Sequence, residues 1–176
     1  MRALPFALAL LTAAPALAAL NPGAKAPDFT TQGALAGKPF NVSLSQLLKK
    51  GPVVLYFFPA AFTPGCTAEA HEFAEQTAAF KKAGATVLGI AGDKIADLQR
   101  FSTEECRNKF AVAVGTPDMI KGYDVILPKL STRSNRTSYV IAPNGQILYA
   151  YSDMDYRNHV ANTLKAVQDW QASHKR

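Results

Sequence analysis

A run of six apolar residues, Val53 to Phe58, constrains the fold of this chain more than any other stretch of its sequence. The run is rich in β-branched and aromatic residues, contains no charged side chain and follows the helix-breaking pair Gly51-Pro52. Alternate residues of a strand face opposite sides of a sheet, so a strand that is apolar throughout must be covered on both faces. The run therefore predicts a central strand of an α/β protein.

The segments around this run alternate between helical and strand-like patterns. Residues 21–52 are rich in Gly and Pro, and there we expect short strands or loops ahead of the first helix. Helices are expected over residues 44–49, about 66–82, roughly 93–110 and about 155–171. Further strands are expected over residues 85–91, 137–142 and 146–151. An Asn-Gly pair between the last two predicts a hairpin. This order resembles that of the thioredoxin fold, with a central mixed β-sheet flanked by helices.

The N-terminal residues have the pattern of a secretory signal. Met1-Arg2 precede the apolar run Ala3 to Leu11, and small residues lead to a cleavage site after Ala18 or Ala19. The alternative is an uncleaved membrane anchor, but the apolar run is shorter than the roughly 20 residues that span a bilayer. We therefore expect a signal peptide over residues 1–19 and one domain over residues 20–176. The mature protein is expected to be exported, without membrane contact after cleavage, and periplasmic in a Gram-negative cell.

Composition and charge exclude some classes of function. Hydrophobic residues make up 48% of the chain, which suits one domain with a packed core. The net charge of +6 comes from Lys and Arg residues that are scattered, with Lys49-Lys50 and Lys81-Lys82 only as pairs. This distribution indicates a solvated basic surface and no nucleic-acid partner.

Cys66 stands where the apolar strand passes through a short loop into the helix expected from about residue 66. The first residues of a helix lie beside unpaired backbone N–H groups and the positive end of the helix dipole. That environment favours the thiolate, which is the nucleophilic form of cysteine. Cys66 is therefore a candidate nucleophile, although free cysteines are often buried and merely pack. Cys106 is the only other cysteine, and in an exported chain the two could form a disulfide or a cycling redox pair.

Three segments carry a resemblance to a known family. In "FFPAAFTPGCTAE", Pro59, Thr63 and Cys66 have the spacing P-x-x-x-T-x-x-C, and the stretch resembles the active-site signature of the peroxiredoxins of the bacterioferritin-comigratory or Q type. "GAKAPDFT" is similar to the family's N-terminal opening, and "NRTSYVIAPNGQI" to its strand with an invariant Arg. The similarity covers about residues 21–170. It implies a thioredoxin-like fold and thiol-dependent reduction of hydrogen peroxide and organic hydroperoxides, with no cofactor.

The resemblance also implies roles for individual residues. Cys66 would be the peroxidatic cysteine, which peroxide oxidises to a sulfenic acid. Thr63 and Arg136 would hold the peroxide oxygens, Pro59 would shield the thiolate, and Glu69 would position the Arg. Charge that develops on the leaving oxygen is stabilised by preorganised donors of this kind. Arg133, the nearest rival for the cationic role, is interpreted as a solvated loop residue.

The next step of the cycle is the reaction of the sulfenic acid with a second, resolving thiol. The commonest members of the group have a resolving cysteine five residues after the first, where this chain has His71. Some members place it on the helix after the second strand, which makes Cys106 the internal candidate. The alternative is an inert Cys106 and a one-cysteine cycle. The resemblance implies a thioredoxin-like or other thiol reductant and a monomer, without naming the partner.

Other functions that a thioredoxin-like chain could perform are less well supported. A thiol-disulfide oxidoreductase needs Cys-x-x-Cys, but position 69 is Glu. A copper-delivery protein would use Cys-x-x-x-Cys, but position 70 is Ala. The three histidines have no zinc spacing relative to the cysteines, so no metal is expected. A peroxide sensor remains an alternative, because it needs the same activated thiolate.

Overall fold

The computed structural model describes residues 19–128 and 130–174. The predicted signal peptide lies outside these residues, apart from Ala19. Within them no helix is long and apolar enough to cross a membrane.

The described residues form nine strands, five α-helices and one short 3₁₀ helix. The strands are β1 Thr30–Leu35, β2 Lys38–Ser43, β3 Val53–Phe57, β4 Thr86–Ala91, β5 Ala111–Val114, β6 Ile126–Leu127, β7 Leu130–Ser134, β8 Thr137–Ile141 and β9 Ile147–Ser152. The helices are α1 Leu44–Leu48, α2 Pro64–Lys82, α3 Ile95–Glu104, α4 Pro117–Gly122 and α5 His159–His174. The 3₁₀ helix covers Tyr156–Asn158, directly before α5.

Seven strands form one mixed sheet in the order β2-β1-β5-β4-β3-β8-β9, and β6 pairs with β7 separately. Strand β3 lies inside the sheet, parallel to β4 and antiparallel to β8. The hairpin that the Asn-Gly turn predicted is confirmed as β8 and β9, which are antiparallel neighbours. The predicted α/β class and mixed central sheet are therefore confirmed.

The apolar run Val53 to Phe58 is buried on both faces. Val54, Tyr56 and Phe58 belong to the hydrophobic cluster on one side of the sheet, together with residues of α2, α3 and α5. The alternate residues Val53 and Leu55 belong to the cluster on the other side. All five are fully buried. The two-sided coverage that the sequence predicted is confirmed.

The region after β4 differs from the prediction of one helix through residues 93–110. Helix α3 ends at Glu104, because the chain then turns through two left-handed residues, Arg107 (φ 50°) and Asn108 (φ 59°). Strand β5 and helix α4 follow, and neither was predicted. As a consequence, Cys106 lies in the turn after α3, and its expected position on the helix was wrong.

A close contact between β3 and β4 gives a test of the packing. A Cβ added at Gly89 would lie 2.8 Å from the Cε1 and Cζ atoms of the Tyr56 ring, and that ring is fully buried and stacked on Phe73. We expect Gly89→Ala to lower the free energy of unfolding by about 1–3 kcal/mol, the usual cost of overpacking a core.

Urea unfolding measures this effect, with Gly122→Ala as the control. A Cβ at Gly122 would meet only Pro27, at 3.7 Å, which is an ordinary van der Waals contact. Equal stabilities of Gly89→Ala and the control would show that the ring can move aside.

Candidate active site

The start of α2 places Cys66 at the end of the central strand. Thr63 is the N-cap and Pro64 occupies the first helical position, where its missing N–H costs nothing. Thr63 makes no side-chain capping bond, so the first N–H groups of α2 are not satisfied by that side chain. Cys66 lies in this first turn and is a free thiol with 2% of its surface exposed. The sequence-predicted environment of a helix start is therefore present around the sulfur.

Arg136 reaches the sulfur from the neighbouring strand. The register pairs Phe57 at the end of β3 with Thr137 at the start of β8, so Arg136 stands beside the loop that follows β3. Its Nη2 lies 3.5 Å from the Sγ of Cys66. A Cβ on Gly65 would come within 3.2 Å of the same nitrogen, so glycine leaves room for the guanidinium.

Glu69 holds the other side of the guanidinium. Arg136 donates to Glu69 Oε2 through Nη1 and to the carbonyl oxygen of Met154 through Nε, the latter at 3.1 Å. Burial alone would lower the pKa of Arg136, but the charges of Glu69 and Cys66 raise it above its ordinary value. The cation is therefore permanent, and the expected contact of Glu69 with this Arg is found.

The Glu69 carboxyl has an unusual environment. It is fully buried, and burial raises its pKa, although the Arg136 guanidinium opposes the rise. In the described part of the chain its Oε1 has no hydrogen-bond partner, and the Nδ1 of His159 lies 3.7 Å away. The carboxyl therefore lies between Arg136, to which it is hydrogen-bonded, and His159, to which it is not.

His159 is a member of the cluster that sequence reasoning missed. Its Nε2 donates to the carbonyl oxygen of Asp153 at 2.9 Å, so Nδ1 of the neutral ring accepts from the Ser138 hydroxyl at 2.8 Å. Burial lowers the pKa of His159 to about 4. The ring is therefore neutral near pH 7. Nothing in its local sequence indicates this position, because the partners come from β8 and from the residues before α5.

Thr63 and Pro59 lie in or beside the loop between β3 and α2. Thr63 is exposed, and its hydroxyl donates to the carbonyl oxygen of Ala60 at 3.0 Å. Pro59 is half-buried at the start of the loop. Their roles toward a peroxide stay predictions.

The interpretation of Arg133 as a solvated loop residue was wrong. Arg133 belongs to β7, and its side chain is 36% exposed. Its Nη1 donates to Oδ1 of Asp93 at 2.9 Å and to the carbonyl oxygen of Pro59 at 3.1 Å. A local sequence pattern could not show this, because the two partners are 40 and 74 residues away along the chain.

Cys106 is also a free, buried thiol, in the same hydrophobic cluster as Cys66. Burial is the main cause that raises its pKa far above the ordinary value, so this thiol is protonated at rest. Its two sequence neighbours are paired with α2: Glu105 lies 2.7 Å from Nε2 of His71, and Arg107 lies 3.2 Å from Glu75. These two side-chain contacts hold the turn that carries Cys106 against the helix that begins near Cys66.

No group of residues in the described ranges could hold a metal ion. The predicted reaction uses only thiol chemistry, for which Cys66 and Cys106 are the available groups.

Comparison with known proteins identifies the family. The family model described as "AhpC/TSA family" matches residues 22–150, which is most of the chain. The chain belongs to the AhpC/TSA family. It is 36% identical over 151 residues to the chloroplastic peroxiredoxin Q of Oryza sativa subsp. japonica, covering 85% of this chain and 67% of that protein. It is 37% identical over 149 residues to the chloroplastic peroxiredoxin Q of Arabidopsis thaliana, covering 84% of this chain and 67% of that protein. These matches confirm the resemblance to Q-type peroxiredoxins.

Comparison with solved structures confirms the fold. Peroxidoxin BcpB of Mycobacterium tuberculosis matches with a TM-score of 0.74 and 29% identity, covering 84% of this chain and 96% of that one. The reduced 2-Cys peroxiredoxin of Plasmodium vivax matches with a TM-score of 0.77 and 22% identity, covering 88% of this chain and 98% of that one. The predicted thioredoxin-like, peroxiredoxin fold is therefore confirmed.

The low pKa of His159 predicts a pH dependence of stability. An unfolded histidine titrates near 6.5, whereas His159 in the folded protein titrates near 4. Between these values the unfolded chain binds the extra proton, so acidification from pH 6.5 to 4 favours unfolding by up to about 3 kcal/mol from this group. We expect His159→Gln to lose that part of the acid destabilisation.

Urea unfolding between pH 7 and 4 measures the difference in slope between wild type and variant. The flanking groups Glu69, Arg136 and Asp155 are the same in both proteins. His174→Gln, in an exposed side chain, is the control. Parallel curves for wild type and His159→Gln would contradict a neutral buried ring.

Proposed function

We propose that this AhpC/TSA member is a thiol peroxidase that reduces hydrogen peroxide and organic hydroperoxides through Cys66. The observation that carries the proposal is the 3.5 Å approach of Arg136 Nη2 to the Cys66 sulfur in the first turn of α2. A permanent cation and the N–H groups of a helix start together favour a thiolate at this position. The family and the peroxiredoxin Q relatives support the same activity.

The chemistry follows from these groups. The Cys66 thiolate attacks one peroxide oxygen, an S–O bond forms and the O–O bond breaks. The sulfur gives up two electrons and becomes a sulfenic acid, and the leaving oxygen takes a proton to become water or an alcohol. Arg136 and the unpaired N–H groups of α2 stabilise the negative charge that develops on the oxygens. Thr63 contributes its hydroxyl, and Pro59 limits access of water to the thiolate.

We further propose that Cys106 resolves the sulfenic acid. Its thiol attacks the Cys66 sulfur, a disulfide forms and water leaves, and two electrons from an external thiol reductant, thioredoxin or a similar protein, restore both thiols. Both cysteines are buried, so this step needs local opening of the segment after α3. In the alternative one-cysteine cycle, the external thiol attacks the sulfenic acid directly.

Export, a periplasmic location in a Gram-negative cell and a monomeric state also belong to this proposal. They rest on the N-terminal sequence pattern and on the resemblance to the Q-type group.

Stopped-flow oxidation by hydrogen peroxide tests the peroxidatic role. We expect Cys66→Ser to abolish oxidation and Arg136→Ala to slow it by about 100-fold, as for the loss of one donor that stabilises an oxyanion. Arg136→Lys keeps a cation but cannot contact Glu69 and Cys66 together, so its oxidation rate should lie between those of the wild type and Arg136→Ala. Lys121→Ala, in an exposed residue of α4, is the control. Wild-type oxidation no faster than that of a free thiol would contradict the proposed peroxidase activity.

Mass spectrometry under non-reducing conditions tests the role of Cys106. After one equivalent of peroxide we expect a Cys66–Cys106 disulfide in the wild type and a persistent sulfenic acid in Cys106→Ser. A Cys66 sulfinic acid with Cys106 still free in the wild type would contradict the pairing.

The ion pair between Arg107 and Glu75 should slow this step, because it holds the Cys106 turn closed. An exposed pair contributes about 0.2–1 kcal/mol, so Arg107→Ala should speed disulfide formation by up to about fivefold. Alanine keeps the Cβ at the left-handed position, so backbone strain is unchanged. Quenched time points give the rate, with Lys165→Ala, which removes an exposed pair on α5, as the control. An unchanged rate of disulfide formation in Arg107→Ala would show that breaking the Arg107–Glu75 pair is not part of the opening.

A further inference from the structure

An ion pair outside the cluster of Cys66, Glu69 and Arg136 contacts the loop that precedes Cys66. Asp93 follows β4, and Arg133 lies on β7. The two side chains meet at 2.9 Å, and that of Asp93 is only 12% exposed. Neither residue is assigned a role by the family resemblance.

This pair binds the loop backbone at two points. Nη1 of Arg133 donates to the carbonyl oxygen of Pro59 at 3.1 Å, and Oδ2 of Asp93 accepts from the N–H of Ala61 at 3.0 Å. The ion pair therefore holds two backbone groups of the loop, the Pro59 carbonyl and the Ala61 N–H, which are two residues apart. Buried or half-buried backbone groups of a loop need such partners, because no neighbouring strand satisfies them.

The fixed loop leads directly into the reactive helix. The carbonyl oxygen of Ala60, between the two bound groups, accepts from the hydroxyl of Thr63, which is the N-cap of α2. Any shift of Pro59 or Ala61 therefore moves Thr63 and the first N–H groups of the helix. Those groups are the ones proposed to contact the peroxide oxygens.

The segment that carries Arg133 also carries Arg136. Between them, Ser134 donates to the carbonyl oxygen of Phe58 at 3.0 Å. The same segment packs tightly against the end of β4, where a Cβ on Gly92 would lie 2.5 Å from the carbonyl oxygen of Thr132. One short stretch of chain thus carries both the cation at the sulfur and the contacts that hold the loop before Cys66.

We infer that Asp93 and Arg133 are a positioning pair for the peroxidase reaction, which holds the Pro59–Thr63 loop in the register at which Thr63, the first N–H groups of α2 and Arg136 face one peroxide. The inference rests on the proposed function. A misplacement of about 1 Å in such a site costs up to about 100-fold in rate. The pair therefore acts on the reaction with peroxide more than on the thiolate itself.

The experiment compares two reactions of Cys66 in the full chain. The reaction with hydrogen peroxide needs Thr63, the first N–H groups of α2 and Arg136 in their correct positions, whereas alkylation by iodoacetamide needs only an accessible thiolate. In Asp93→Asn and Arg133→Gln we expect the peroxide rate to fall by about 10-fold to 100-fold, with the alkylation rate within twofold of wild type. Asp169→Asn, the same substitution in an exposed ion pair on α5, should leave both rates unchanged.

Two further variants show whether the residues act as a pair. The double variant should be no slower than the slower single variant, because residues that act as one unit have non-additive effects. Arg133→Lys keeps the cation and should recover part of the peroxide rate lost in Arg133→Gln. If Asp93→Asn does not fold, the comparison of these two Arg133 variants still tests the inference.

The outcomes separate this inference from the proposed function. Slow oxidation of the wild type would contradict the peroxidase itself. Fast wild-type oxidation with peroxide rates within twofold in the folded variants would overturn the positioning role alone. Equal losses in the peroxide and alkylation rates would also overturn it, because they would mean that the pair supports only the general fold.

Discussion

The contact of the Arg136 guanidinium with the Cys66 sulfur on one side and the Glu69 carboxyl on the other is the interaction on which the rest of the site depends. All three side chains are at least 96% buried. A buried cation without partners would cost several kcal/mol, so Arg136 can face the sulfur only because Glu69 offsets its charge. The same carboxyl would oppose a thiolate by repulsion if Arg136 did not lie between them. The arrangement therefore needs all three groups at once.

The topology brings these groups together through one strand register. Strand β3 ends at Phe57, and its antiparallel neighbour β8 begins opposite it at Thr137. The residue before β8 and the loop after β3 therefore meet at the same edge of the sheet. Helix α2 then leaves this edge with its positive end beside the guanidinium. The burial of the apolar run on both faces fixes where β3 ends. The end of β3 in turn fixes where the loop before Cys66 meets Arg136.

Much of the fold and the core of the site could be predicted from the sequence, where signals are local or belong to a long motif. The apolar run predicted β3, the Asn-Gly turn predicted the β8–β9 hairpin, and the helical spacing of apolar residues after Cys66 predicted α2. The four residues of β5 carry too short a pattern to stand apart from a helix. The positions of Arg133 and His159 were not predictable, because their partners are distant in sequence and meet only in the folded chain.

The turn that carries Cys106 combines a strained backbone with side-chain contacts to α2. Arg107 adopts a left-handed conformation (φ 50°), which costs a residue with a Cβ about 1–2 kcal/mol. The two side-chain contacts that hold the turn to α2, His71–Glu105 and Arg107–Glu75, are partly exposed, and each contributes about 1 kcal/mol or less. The strain and these contacts are therefore of similar size and opposite sign. Burial of Cys106 and the backbone bonds of the turn, such as that from the N–H of Lys109 to the carbonyl oxygen of Cys106, must supply the remaining stability. A segment balanced in this way can open without unfolding the sheet, because its contacts with α2 are side-chain pairs and its backbone bonds are local.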